Sequence, residues 1–269
     1  MVRARLTIYC LLAVFICGDC LHALPSAKPE PRRRIAADPG TIYRGLRSVS
    51  PEHRRFAHRQ LFGAVKSGDL LPQAPADAKL ISANLDTDEE LEFILKINGP
   101  GGVTFVGVFD QDTVGWWQVG EFLYWWHWSE ARAERVVSLR ETVHAKQKDL
   151  LIRIANGGTE MVETALSIYR LHEGRLYRVF TTVEESEYAV WGTDETVVET
   201  CRIELPVPDE TVDRFIVARH TKVTSLQGRP NKRVRRACVV HRWDESRFVF
   251  SPDSSVNSRF CAASRPAAK

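Results

Sequence analysis

The chain has 269 residues, 44% of them hydrophobic, and carries 37 Lys/Arg against 34 Asp/Glu for a formal net charge of +3. That near-balance gives no indication of nucleic-acid binding, which calls for a strong basic excess. After the first residues no apolar run approaches the ~20 needed for a membrane-spanning helix, and the length suits one large β domain or two small ones.

The chain opens MVRARLTIYCLLAVFICGDCLHALPSA, with Arg3 and Arg5 ahead of an apolar run from Leu6 to Cys17. Such a run fits the h-region of a secretory signal, cleaved after Ala23 or Gly18, and residues 1–23 are assigned to it. An uncleaved N-terminal anchor helix is the alternative. Export places the protein in a secreted, periplasmic or cell-surface setting. Residues 24–49 include LPSAKPEPRRRIAADPG, which is Pro-rich and charged, and read as a flexible basic tether. Residues 24–78 hold ten Lys/Arg against five Asp/Glu, enough for contact with an anionic surface or for a solvated linker. Within 50–78, Ser50-Pro51-Glu52 reads as an N-cap, a first-turn proline and an acid at the positive end of the helix dipole. The helix that follows sets Ala57, Leu61, Ala64 and Val65 on one side, and Gly68 offers a stop.

From residue 79 to 250 the texture is β: LEFILKI, VTFVGVFD, GWWQVGEFLYWWHW, RVVSLRETV, DLLIRIA, TALSIYRL, RLYRVFTTV, TVVETCRIEL, RFIVARHT, RACVVHRW and RFVFS are all Val-, Ile- or aromatic-rich. Strand-turn-strand units repeat every roughly 60 to 70 residues. Phe109, Tyr169 and His241 fall at equivalent places in them, as do Trp117, Leu176 and Phe248. The fold expected is mainly β, built of about three antiparallel propeller-like units with one N-terminal helix, or else a curved β-sandwich. Residues 251–269 read as a disordered tail.

Two segments carry chemistry. In ISANLDTDEELEFIL, Asn84, Asp86 and Asp88 alternate, Glu90 offers a carbonyl and Glu92 closes the loop, an oxygen-rich pattern suited to calcium. Glu89 stands where a calcium loop has its turn glycine. Read without a ligand, the same loop is an acidic turn that keeps a strand edge soluble. In the aromatic stretch Tyr124, Trp126 and Trp128 share one strand face, and exposed rings there would stack on sugars, whereas buried ones would form core. NKRVRRACVV is a basic run that suits acidic ligands or a solvated edge. Of the cysteines beyond the signal, Cys201 and Cys238 lie in strand-like runs and Cys261 in the tail, so a Cys201–Cys238 disulfide is the expectation, with three free thiols the alternative. No nucleophile elbow, zinc-protease helix or phosphate loop is present in the sequence.

The acidic loop leading into an apolar strand, followed by VGVFDQDTVGWWQVGEF, resembles the FG-GAP/VCBS-type repeats of secreted and surface proteins, and NGGTEMVETALSIYRLHEGRLYRVF looks like strand-turn-strand units of bacterial exported proteins. The resemblance implies calcium in the acidic loop and a propeller-like scaffold for adhesion or recognition. HAKQKD and PDETVD replace the acidic loop in the second and third units. The functional expectation is a non-catalytic recognition or scaffold protein of the cell envelope or exterior, its partner a protein or polysaccharide surface. The alternative is a carbohydrate-binding or carbohydrate-hydrolysing protein that uses the aromatic strand.

Overall fold

The computed structural model describes residues 27–62, 75–98, 103–125, 137–143, 146–157, 161–205, 214–226 and 232–261. Each of the eleven apolar runs folds as a strand: β3 (Glu92–Asn98), β4 (Val103–Asp112), β5 (Gly115–Trp125), β6 (Val137–Arg140), β7 (Asp149–Gly157), β8 (Met161–His172), β9 (Arg175–Ala189), β10 (Glu195–Glu204), β11 (Phe215–Leu226), β12 (Lys232–Asp244) and β13 (Val249–Pro252). Two further strands are β1 (Arg33–Arg34) and β2 (Asp77–Ala83), and helices α1 (Pro39–Arg47) and α2 (Pro51–Phe62) precede β2. The protein is mainly β, with two antiparallel sheets.

One sheet has five strands in the order β1-β5-β4-β3-β2, the other eight in the order β13-β12-β11-β10-β9-β8-β7-β6. Strand alternation lets each sheet bury one side against the other. Ile94, Val106, Val108 and Val119 of the first sheet meet Leu150, Ile152, Leu171 and Leu176 of the second. Gly120 is part of this fit, because a Cβ there would lie 2.6 Å from the Leu176 side chain. The outer side of the five-stranded sheet is covered by the helices, whose Ile42, Leu46, Ala57 and Leu61 pack on Leu95, Phe105 and Phe109. A third cluster, built on Leu151, Ile168, Phe180, Ile216, Trp243 and Phe250, lies on the opposite face of the eight-stranded sheet, the side turned away from the first sheet and called its inner face below.

Several expectations change, the single N-terminal helix among them, because α1 forms ahead of α2. Propeller blades are separate four-stranded sheets, whereas β6 to β13 hydrogen-bond in one unbroken order. The layering agrees with the sandwich alternative. Residues 27–49 are not a flexible tether. Pro29 bridges to Tyr177, β1 pairs with Gln118 and Trp117 of β5, and Asp38 caps α1 by accepting from Thr41 N at 2.8 Å. Arg33 fastens this segment by donating to the carbonyls of Gln60, at 2.7 Å, and Leu61 at the end of α2, and to Gln118 Oε1. Cations at a helix C-terminus satisfy its orphan carbonyls. The apolar residues that hold the segment, Ile35, Ile42 and Leu46, are spaced among prolines and arginines and so do not read as a core stripe.

A further change concerns the cysteines. Register sets Cys201 opposite His220 and Cys238 opposite Arg219. Because neighbours along β11 point to opposite faces, the two thiols lie on opposite sides of the sheet and cannot bond. Cys238 instead pairs with Cys261, and Cys201 is free and buried. Residues 251–261 are therefore ordered rather than a disordered tail. Helix α3 (Asn257–Cys261) follows a 3-10 turn capped by Asp253, Asn257 Oδ1 accepts from Val240 N at 3.1 Å, and Phe260 packs on Phe215.

Candidate metal centre

The loop between β2 and β3 sits at a corner where the two sheets meet. Leu85 is fully buried in the inter-sheet core. Gln147 Nε2 donates to Leu85 O at 2.8 Å and to Leu171 O at 3.1 Å, and Lys148 N donates to Asn84 O at 3.0 Å. The loop is thus clamped from the second sheet before its acidic residues begin. Asp86 Oδ1 then accepts from Asp88 N, and Asp88 Oδ1 from Glu90 N, each at 2.9 Å, while Glu92 accepts from Leu85 N. These side-chain-to-backbone bonds turn the chain without left-handed backbone. Glu89 accordingly has no positive φ, and a glycine is not needed there.

Ligand atoms of Asp86, Asp88 and Glu92 all lie within 4.8 Å of one another. Each carboxylate spends one oxygen on a backbone N–H and has a second to offer. Asn84 and Glu90 play other parts. The Asn84 amide braces the loop by donating to Asp88 O at 2.7 Å, and Glu90 contributes its N–H.

A fourth carboxylate, which the sequence reading passed over, belongs to this corner. The pairing of Phe93 with Phe109 sets Glu92 beside Asp110 across the strands, and Asp110 is buried. Its signal in the sequence is the alternation Val106, Val108, Asp110, which puts an acid at an inward position. Above it lies the β8–β9 turn, where Gly174 adopts φ +65° and a Cβ would come 3.3 Å from Asp110 Oδ2 and from the Arg32 guanidinium. Arg32 stacks on Trp117 at 3.9 Å and pairs with Asp112 at 2.9 Å.

The acids strain one another. Burial, then repulsion by Asp86, Asp110 and Asp88, pushes the Glu92 carboxyl up to about 8. Burial, with repulsion by Asp86 and Asp88, pushes Asp110 up to about 6 even though Arg32 pulls the other way. Burial raises Asp86 too. Hard oxygen donors that repel one another and are held by a fixed backbone form a donor set that fits a divalent cation of the calcium type.

The other sequence-derived candidates fare differently. Tyr124 pairs through its backbone with Thr104, but its side chain, like Trp126 and Trp128, lies outside the described residues. Of the neighbouring rings, Trp116 packs edge-on against Phe93 and Trp117 lies under Arg32. The basic run of β12 is exposed from Lys232 to Ala237. One thiol–imidazole pair is new: Cys201 Sγ lies 3.7 Å from His220 Nε2. Burial raises the Cys201 thiol and lowers His220, whereas a nucleophilic cysteine needs its thiolate stabilised. Among the described residues no helix is long and apolar enough to cross a membrane.

Compared with known proteins, the chain matches no family model, no curated protein and no solved structure.

Proposed function

We infer that this protein is an exported, non-catalytic β scaffold for recognition at the cell envelope or exterior, with calcium as a structural ion at the inter-sheet corner. The observation that carries the reading is the convergence of Asp86, Asp88 and Glu92 within 4.8 Å, with Asp110 beside them. An ion there would neutralise charges that the chain itself leaves opposed, and would fasten the β2–β3 loop to the sheets. Its ligands would be the carboxylates of Asp86, Asp88 and Glu92. The Cys238–Cys261 disulfide supports export, since such bonds persist in oxidising compartments.

Thermal unfolding of the chain in millimolar calcium and in chelator tests this, beside the double variant Asp86→Ala/Asp88→Ala. At ten times its dissociation constant one ion adds about 1.4 kcal/mol, or roughly 3–6 °C for a domain of this size. A shift of that order that disappears in the variant supports the ion. Superimposable curves in all four conditions make the corner an acidic turn and remove calcium from the proposal.

A further inference from the structure

The eight-stranded sheet does not lie flat. Leu151 and Arg153 of β7 and Ile203 of β10 line one cavity, although β8 and β9 stand between those strands in the ladder. Only a sheet curled round its inner face brings them together. The cavity measures about 750 Å³, a volume typical of small-molecule sites, which favour the mouths of curved β structures.

Its floor is apolar. Leu151 belongs to the inner cluster with Phe180 and Trp243, and Ile203 and Leu205 pack against that cluster. Its rim is basic. Arg140 at the end of edge strand β6 and Lys148 just before β7 are both exposed, and among the described residues neither has a carboxylate partner. Arg153 lies further in and is held by Glu184 through two bonds of 2.5 and 2.8 Å. Glu141 is the acid of this rim, so among the described residues two cations face one carboxylate there.

An apolar chamber with cations at its mouth recognises a molecule with the same division. We propose that the inner face of this sheet binds a single-chain amphiphile with one anionic head, of the long-chain carboxylate class. The chain lies along Leu151, Ile203 and Leu205, and the head meets Arg140 and Lys148 through charge-assisted hydrogen bonds. Calcium at the corner and an amphiphile on the inner face engage different side chains, and either occurs without the other.

The test uses the full chain in detergent-free buffer. A polyene fatty acid whose fluorescence rises in apolar surroundings is titrated in, then displaced by dodecanoate, dodecanol or dodecylammonium. Dodecanoate should displace best, and its advantage should shrink with added salt. Arg140→Glu/Lys148→Glu should weaken dodecanoate about tenfold while leaving dodecanol nearly unchanged. Ser138 lies on the inner face opposite Leu151, so Ser138→Phe should obstruct the chamber and weaken the probe and all three competitors. If that variant fails to fold, Leu205→Glu, one residue past the end of β10, gives the same readout. Equal displacement by the three heads overturns the anionic preference. The absence of saturable binding, or binding indifferent to the obstructing variants, overturns the site.

Discussion

Glu92 and Asp149 are both buried carboxylates, Glu92 at the corner where the two sheets meet and Asp149 at the start of β7, yet they are treated in opposite ways. Burial pushes both carboxyls up. At Asp149, Arg170 lies at 3.2 Å, Thr142 donates from N at 3.2 Å and also from its hydroxyl, and these contacts work against the rise. Arg170 in turn donates to Gln147, the residue that clamps Leu85. At Glu92 the neighbours are acids, and they add to the rise. The chain completes one site from its own residues and leaves the other short of positive charge. A structural network is closed in this sense, whereas a centre for a cation is open.

The largest effect should come from opening the closed site. Arg170 is 2% exposed and Asp149 0%, so Arg170→Ala leaves a buried charge without its partner and should cost about 3–5 kcal/mol in urea unfolding. Replacing both residues, as in Asp149→Leu/Arg170→Met, should recover a good part of that loss, because an apolar pair carries no desolvation penalty. A double variant no better than the single one would mean that the hydrogen bonds of Thr142 and Gln147, rather than the ion pair, hold the junction.

A second variant calibrates the comparison because it touches neither carboxylate. Cys261→Ser opens a loop with a sequence separation of 23 residues and should cost about 3 kcal/mol by the loop-closure argument. Added calcium should leave that cost unchanged. If the cost varies with calcium, the two ends of the molecule are coupled.

How much of this contrast was legible in the sequence depends on whether the signal was local. Asp86, Asp88 and Glu92 alternate within one loop, so their convergence could be read directly. Asp110 joins them only through the register of β3 on β4, and the Asp149–Arg170 pair only through β7 on β8. Periodicity marked strands β3 to β13 because each carries its own apolar run. It did not mark how the strands group, since hydrogen bonding between successive hairpins leaves no local trace; hence separate blades were expected where one eight-stranded sheet forms. Cys201 and Cys238 show the same limit, because one strand of intervening register puts them on opposite faces.

pH separates the two sites further. Glu92 has a folded-state value of about 8 against an ordinary 4.5. Its stabilising contribution is therefore fully present below about pH 4.5 and is lost as pH rises through 8. With solvent screening allowed for, the loss for the calcium-free chain should be roughly 2 kcal/mol across that window. A calcium ion held at the proposed site would bind the ionised carboxylates, so it should remove most of this fall, and its own stabilising effect should grow with pH. A calcium-free chain whose stability is flat from pH 5 to 8 would mean that the corner opens enough for water to relieve the repulsion.

Glu92→Gln is the smallest and most discriminating change. The amide is nearly the same shape and can still accept from Leu85 N, but it carries no charge for Asp86 and Asp110 to repel. At pH 8 without calcium the variant should be about 1 kcal/mol more stable than the parent chain, a gain that fades toward pH 5 where the parent carboxyl is already protonated. Its response to calcium should nevertheless be lost, because the closing ligand has gone. Gain without the ion and loss with it is the signature of an open cation centre. The same substitution in a closed network gives the other pattern: Asp149→Asn strands the Arg170 charge and should destabilise the chain with calcium or without it. If Glu92→Gln behaves like Asp149→Asn, then Arg32 and the backbone N–H groups already balance the corner, and the loop is a finished turn.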